Sequence, residues 1–300
     1  MTAPLATDDA VVAAETGVAA RAVHLPGAAW VGIGLVGSFV LVALLAPVVA
    51  PYRTAELAGR PLEPPSTRHL LGTNGVGQDV LSQMLSGARA SLFVAAVAGL
   101  GTLVLGALVG LVGGWWRGFV DAVLMRVVDV LIVIPRLPLL IVAGAYVGPG
   151  LLPVAVIIAL TFWPSTARVV RSQVLSVRRR DHVTAATGFG AGTVHVLRRH
   201  VLPAVGLVLA AELVTAAGRA VVLETGLAFL GLGDPSVTSW GSVMRDAFAF
   251  GGLFYTRAWA WWLLPPVLAV TLLLVGVTFL GVAVEQRVNP RLARHTGGRR

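Results

Sequence analysis

Apolar positions in this chain gather into long uninterrupted blocks, with the polar positions confined between them. Six blocks stand out, at about 28–50, 91–113, 120–147, 151–171, 204–230 and 259–284. Each approaches or exceeds the ~20 residues that a helix needs to cross the hydrocarbon core of a bilayer. Backbone N–H and C=O groups find no water there, so each block is expected to be helical, the fourth interrupted by Pro164. The first block lies behind residues 1–27 and is too long for a signal-peptide core. Pro51 follows the small residue Ala50 and would obstruct cleavage, so this block reads as a retained helix. The organisation expected is a mobile tail over 1–27, a transmembrane domain over 28–284 and a second tail over 285–300.

Composition supports the pattern. Of 300 residues 56% are hydrophobic and only 12% charged, and the mean hydropathy is +0.84. A soluble domain carries about 25% charged residues, so a multi-span membrane protein is the class that fits. The net charge of +9 comes entirely from arginine, since all 23 basic residues are Arg and none is Lys. These arginines crowd beside the apolar blocks, as topology signals do, which argues against nucleic-acid binding. Arg168, Arg171, Arg178, Arg179, Arg180, Arg198 and Arg199 lie around the fourth-to-fifth connection. Arg287, Arg291, Arg294, Arg299 and Arg300 lie in the C-terminal tail. The positive-inside rule puts both segments in the cytoplasm. The near-balanced loops 51–90 and 233–258 then lie outside, and six transmembrane helices with both termini cytoplasmic satisfy every loop. Trp259, Trp261 and Trp262 read as an outer aromatic belt. The absence of cysteine excludes disulfides, Cys-ligated metals and a Cys nucleophile. The six histidines show no metal-binding spacing, so no metal site is expected.

Ionisable residues within apolar blocks are costly and therefore candidates for function. Arg126 and Asp129, three apart, can pair on one helix face. Arg136, between Pro135 and Pro138, stands well inside the third block. It either lines a pathway and attracts a substrate carboxylate, or satisfies carbonyls freed at a proline kink. Glu212 and Arg219 are seven apart on one face of the fifth block, about 10.5 Å along the axis. With Glu224 they either pair structurally or line a cavity. Gly101, Gly106, Gly110, Gly113 and Gly114 in the second block suggest close helix approach. Residues 72–90 are expected to form a short interfacial helix beginning near Thr73. Asp79 and Arg89 there are candidates for contact with an external protein or for an extracellular gate.

The segment 176–203 carries the most information. Asp181 is a suitable N-cap for a helix over about 182–188, which Gly188, Gly190 and Gly192 then end. A second short helix over 193–201 places Val194, Leu197 and Val201 on one face, with Arg198 and Arg199 elsewhere, and Pro203 opens the fifth block. Two short helices joined at glycines either dock in a partner's groove or rest on anionic lipid.

This stretch resembles the EAA loop of permease subunits from binding-protein-dependent ABC importers. Thr184, Ala185, Ala186, Gly190, Leu202 and Pro203 fall at that loop's spacing, with Thr184 in place of its glutamate and His200 in place of an apolar residue. Further blocks are similar to the dipeptide/oligopeptide/nickel class. They are His69-Leu70-Leu71-Gly72-Thr73-Asn74 through Gln78-Asp79, then Gly87-Ala88-Arg89 and Ser91-Leu92. Trp163-Pro164 with Ala167-Arg168 and Arg171 follows, then Glu224, Phe229 to Gly233, Ser239-Trp240-Gly241 and Asn289-Pro290-Arg291-Leu292. Asn74 and Gln78 replace the usual Asp and Arg.

The resemblance implies an all-α integral membrane fold of the type I importer permease kind in the cytoplasmic membrane. It implies ATPase coupling through Asp181, Thr184, Ala185, Ala186, Gly190, Arg198, Leu202 and Pro203, and alternating access as the mechanism. The partners implied are a homologous permease, cytoplasmic ATP-binding subunits that use ATP and Mg, and an extracytoplasmic substrate-binding protein. Di- or oligopeptides, or nickel chelates, would be the cargo. The residues independently place ATP elsewhere: a Walker A loop needs a lysine, and this chain has none. The chain is therefore expected to bind no cofactor and to be a transport subunit, not an enzyme. A competing reading is an ion-coupled secondary carrier relaying protons through Glu212 and Arg219, but the six blocks show no convincing internal repeat.

Overall fold

A computed structural model describes residues 27–288, and every regular element in that range is helical. The elements are α1 (Gly27–Val49), α2 (Val80–Trp115), α3 (Phe119–Val133), α4 (Arg136–Val147), α5 (Leu151–Arg178), α6 (Asp181–Gly188), α7 (Thr193–Val196), a π turn (Leu197–Val201), α8 (Leu202–Phe229), α9 (Trp240–Ala249), α10 (Trp259–Trp262) and α11 (Leu264–Val288). The expected tail 1–27 lies outside the described residues except for Gly27. The Asn289-Pro290-Arg291-Leu292 block and most of the tail 285–300 also lie outside them.

Five helical runs are long and apolar enough to cross a membrane, and α3 with α4 make a sixth if the pair counts as one broken span. That break corrects the third expected helix. Ile134 and Pro135 are both extended, and α3 and α4 meet at 87°. The cause is local: a proline pushes the preceding residue out of helical geometry. Pro138 then fits in the first turn of α4, where its missing N–H would have had no partner. Arg136 therefore starts a new helix at an elbow and does not stand well inside a straight one. Pro164, by contrast, sits inside α5 without ending it.

The core is built on α2 against α5. Gly106, Gly110 and Gly114 recur every four residues and form a groove into which α5 presses. A Cβ at Gly106 would lie 2.7 Å from Thr166, at Gly110 2.6 Å from the Ala167 carbonyl, and at Gly114 2.7 Å from Val174. Small residues let helix backbones approach in this way. α8 packs on α2 as well, where Gly99 meets Ala217. α11 closes against α1 and α8.

α2 also corrects the expected interfacial helix. No separate helix begins at Thr73; α2 itself runs 36 residues, about 54 Å, and its first turns project beyond the apolar block. Residues 51–79 fold over that end as a loop. The connection 233–258 contains a helix that periodicity alone did not reveal, α9, started by a reciprocal Ser239–Ser242 capping box.

Candidate functional site

Three groups of candidate residues sit at three levels of the bundle. At the loop end, Asp79 is 1% exposed and faces inward. Its Oδ2 accepts from the backbone N–H and Oγ of Ser82, both at 2.8 Å, which caps α2, and its Oδ1 lies 3.0 Å from Nδ1 of His69. The carboxylate of Asp79, a candidate for external-protein contact or for a gate, is thus engaged inside the loop by the cap of α2 and by His69. Arg89 is exposed, beside a cavity of about 710 Å³ that it lines with Val40, Leu44 and Phe93. Asn74 and Gln78 form a neutral pair, the amide nitrogen of Asn74 donating to Oε1 of Gln78 at 2.8 Å. The two residues that depart from the resembled signature are thus joined to each other by a hydrogen bond.

The dispersed sequence blocks converge at this end. Ser91 donates to Glu224 at 2.9 Å, the Trp240 indole donates to the Met84 carbonyl at 3.1 Å, and Gly87 lies flat against the Trp240 ring, leaving no space for a Cβ. Glu224 is 3% exposed. It belongs to this knot and not to a polar network with Arg219, because five residues along a helix turn it about 140° away. Trp261 and Trp262 also turn inward: the Trp261 indole donates to the Thr73 carbonyl at 3.2 Å and Trp262 is buried, so of the expected aromatic belt only Trp259 is exposed.

At mid-bundle, α5, α8 and α11 border an open cleft of about 750 Å³ whose lining runs from Phe162 and Val222 to Gln173 and Glu285. Glu212 and Arg219 both line it. Their axial offset is closed by side-chain reach, with Nη2 of Arg219 4.0 Å from Oε2 of Glu212. Thr166 donates to the same Glu212 oxygen at 2.8 Å, and Nε of Arg219 donates to the Thr215 carbonyl at 3.3 Å. Phe162 gathers the cations: the guanidinium carbon of Arg136 lies 4.5 Å from its ring centroid and that of Arg219 5.8 Å. Arg136 therefore stacks on an aromatic face and does not bond carbonyls freed at the elbow. Neither a hydrogen bond nor an ion pair joins its guanidinium to the described residues.

The Arg126–Asp129 pair expected within α3 does not form. Asp129 pairs with Arg168 of α5 at 2.6 Å, and Asp121 takes both Nε and Nη2 of Arg171. Helix-to-helix partners displace the intrahelical one because α3 packs along α5.

At the knuckle end, α6 and α7 fold back under α5. Val183, Val196 and Val201 are fully buried with Trp115, Val174 and Val177. Asp181 is the first residue of α6, not its N-cap; Arg180 holds that place without a side-chain cap. α6 ends at Gly188 and the chain turns at Gly190, whose φ of +85° permits the Ala191 N–H to reach the Ala186 carbonyl and the Gly190 N–H to reach that of Thr187. The second helix does not stop before Pro203. It passes into α8 through the π turn, in which the Leu202 N–H reaches back five residues to Leu197. The wider turn accommodates a proline that cannot donate and would crowd the carbonyl of residue 199. It also shifts the apolar face: Val196 and Val201, five apart, are buried, whereas Val194 is exposed. On the outer side of the knuckle Thr184, Ala185 and Arg198 are exposed, Leu202 is partly so, and Phe189 is 92% exposed.

Residues 103–294 match the family described as binding-protein-dependent transport system inner membrane component. The chain is 34% identical over 266 residues, 87% of each chain, to a protein named as a peptide transport system permease of Brucella suis biovar 1. It is 32% identical over 285 residues, 93% of each, to a protein of the same organism named as a peptide permease. It is also 32% identical over 271 residues to the dipeptide transport system permease protein DppC of Bacillus subtilis, covering 87% of this chain and 83% of that one. The chain belongs to this family of binding-protein-dependent permeases: it is an all-α membrane protein and a transport subunit, not an enzyme.

Proposed function

We propose, with that membership as premise, that the chain is one pore-forming subunit of an ATP-driven importer. It would carry di- or oligopeptides across the cytoplasmic membrane by alternating access. The permeases it resembles are named for peptides, which favours that cargo over nickel chelates. Six membrane crossings, with α3 and α4 as one broken span and both termini cytoplasmic, accord with the arginine distribution. A separate ATP-binding subunit supplies hydrolysis, since no lysine exists to build a phosphate loop. A second permease subunit completes the pore, and an external binding protein delivers cargo to the loop end.

The observation that carries the reading is the two-sided knuckle. Its apolar side is locked under α2 and α5 by fully buried valines, while Thr184, Ala185 and Phe189 face away from the bundle. A partner that grips Asp181, Thr184, Ala185, Ala186, Gly190 and Arg198 would move α8 with them, because α6 packs on α7 and the π turn Leu197–Val201 joins α7 to Leu202 and Pro203 of α8 as one continuous helix. α8 lines the cleft with Glu212 and Arg219, so motion at the knuckle reaches the pathway through one element.

Uptake by proteoliposomes holding the assembled complex tests this. Accumulation that requires internal ATP, the ATPase subunits and the binding protein together is the expected result. Uptake driven by a proton gradient with no ATP would establish the ion-coupled carrier instead.

A further inference from the structure

The mid-bundle cleft holds an ion pair that is only loosely made. Arg219 and Glu212 both line it, as does Glu285, and Arg219 shares the Phe162 ring with Arg136, which is not itself a lining residue. A charged group inside a bilayer is retained where it faces a cavity or a partner. Three other span arginines have close partners, Arg171 gripping Asp121, Arg168 gripping Asp129, and Arg178 donating to the Trp115 carbonyl at 2.7 Å, whereas Arg126 has none among the described residues. Arg219 differs. Only its Nε is hydrogen-bonded, to a backbone carbonyl, and its contact with Glu212 at 4.0 Å is too long for a hydrogen bond. Glu212 is meanwhile held from behind by Thr166. The fork of Arg219 is thus positioned by the ring and the backbone while its terminal nitrogens stay free toward the cleft.

We infer that Arg219, with Arg136 behind the same ring, is a transient subsite for the free C-terminal carboxylate of a passing peptide. Glu212 receives the peptide's ammonium end. This rests on the cleft being the pathway of a peptide importer, as proposed above. A planar fork matches a carboxylate at two points, and a loose Arg–Glu contact can be opened by a zwitterion that replaces each charge with its own. About 750 Å³ is ample for a short peptide. The subsite therefore selects uncapped zwitterionic peptides over C-terminally amidated ones, independently of whatever the binding protein selects.

The test uses the whole importer in proteoliposomes with ATP and binding protein. Uptake of labelled trialanine is compared with that of its C-terminal amide, each normalised to occupancy of the binding protein. The wild-type complex is expected to favour the free acid, and Arg219→Gln to lower free-acid uptake about tenfold or more while leaving the amide within about twofold, as loss of a charged hydrogen bond predicts. Arg219→Lys, which keeps charge but loses the fork, falls between. Equal losses for both peptides, or a wild-type complex indifferent to the C-terminus, overturn the subsite while leaving the importer reading intact. A defect that follows the content of anionic lipid and not the peptide end also overturns it, assigning the fork to a lipid headgroup. Absence of ATP-dependent uptake of either peptide by the wild type contradicts the importer reading itself.

Discussion

Arg171 and Asp121 meet as a two-point ion pair, Nε and Nη2 of the guanidinium donating to the two carboxylate oxygens, the latter at 2.6 Å. The pair ties the first turn of α3 to α5 and so fixes the helix that leads to the elbow at Arg136. Arg171→Lys keeps the charge but cannot make both bonds. It is expected to cost about 1–3 kcal/mol, read as a lower detergent melting temperature, and Asp121→Asn to cost a similar amount. A double variant no worse than either single one would identify the loss as that of the pair.

Gly110 has no room for a side chain, since a Cβ would lie 2.6 Å from the Ala167 carbonyl and 2.7 Å from Val170. Backbone cannot yield as a flexible side chain does. Gly110→Val is therefore expected to force α2 and α5 apart and to cost about 3 kcal/mol or more, at the upper end of overpacking. Gly144→Val, where a Cβ meets nothing within 4 Å, serves as the control and is expected to be much milder. Folded yield and melting temperature measure both.

Asp79→Ala removes the cap of α2 and leaves His69 without its partner in a buried site. About 1 kcal/mol is expected from the cap and about 1–3 kcal/mol from the stranded imidazole. The same burial predicts that a cysteine at residue 79 reacts slowly with an external maleimide, whereas one at Arg89 reacts readily. Equal labelling would show that the loop 51–79 opens.

Gly190 adopts a left-handed φ of +85°, which costs a side-chain-bearing residue about 1–2 kcal/mol. Nothing lies within 4 Å of its missing Cβ, so Gly190→Val strains the turn without a clash. The expected result is a folded complex that binds its ATPase poorly and transports slowly. Normal transport would show that the turn's geometry is dispensable.

The apolar blocks were legible because bilayer thickness sets their length, and the glycines of α2 announced the tight α2–α5 contact. What the blocks could not show was direction. Ile134-Pro135 marks a break, but only packing sets the bend at 87°. Asp129 had a local partner in Arg126 and took Arg168 instead, because long-range contacts outbid neighbours once α3 lies along α5. The knuckle was visible through Gly190, yet the π turn moved its buried face from Val194 to Val196, a change of phase that a regular helical period conceals. Asp79 and Glu224 looked like functional charges from composition. Their neighbours Ser82, His69 and Ser91 turn them into internal hydrogen-bond centres.

In the mechanism proposed, the outward face of the knuckle receives a separate ATPase. The absence of cysteine from the chain makes one measurement direct: the maleimide labelling rate of Thr184→Cys, with and without the ATPase subunits bound. Rapid labelling of the free permease and strong protection in the complex are expected, with Arg89→Cys, at the opposite end, unchanged. Equal labelling of Thr184→Cys in the two states, in a complex that still transports, would contradict it.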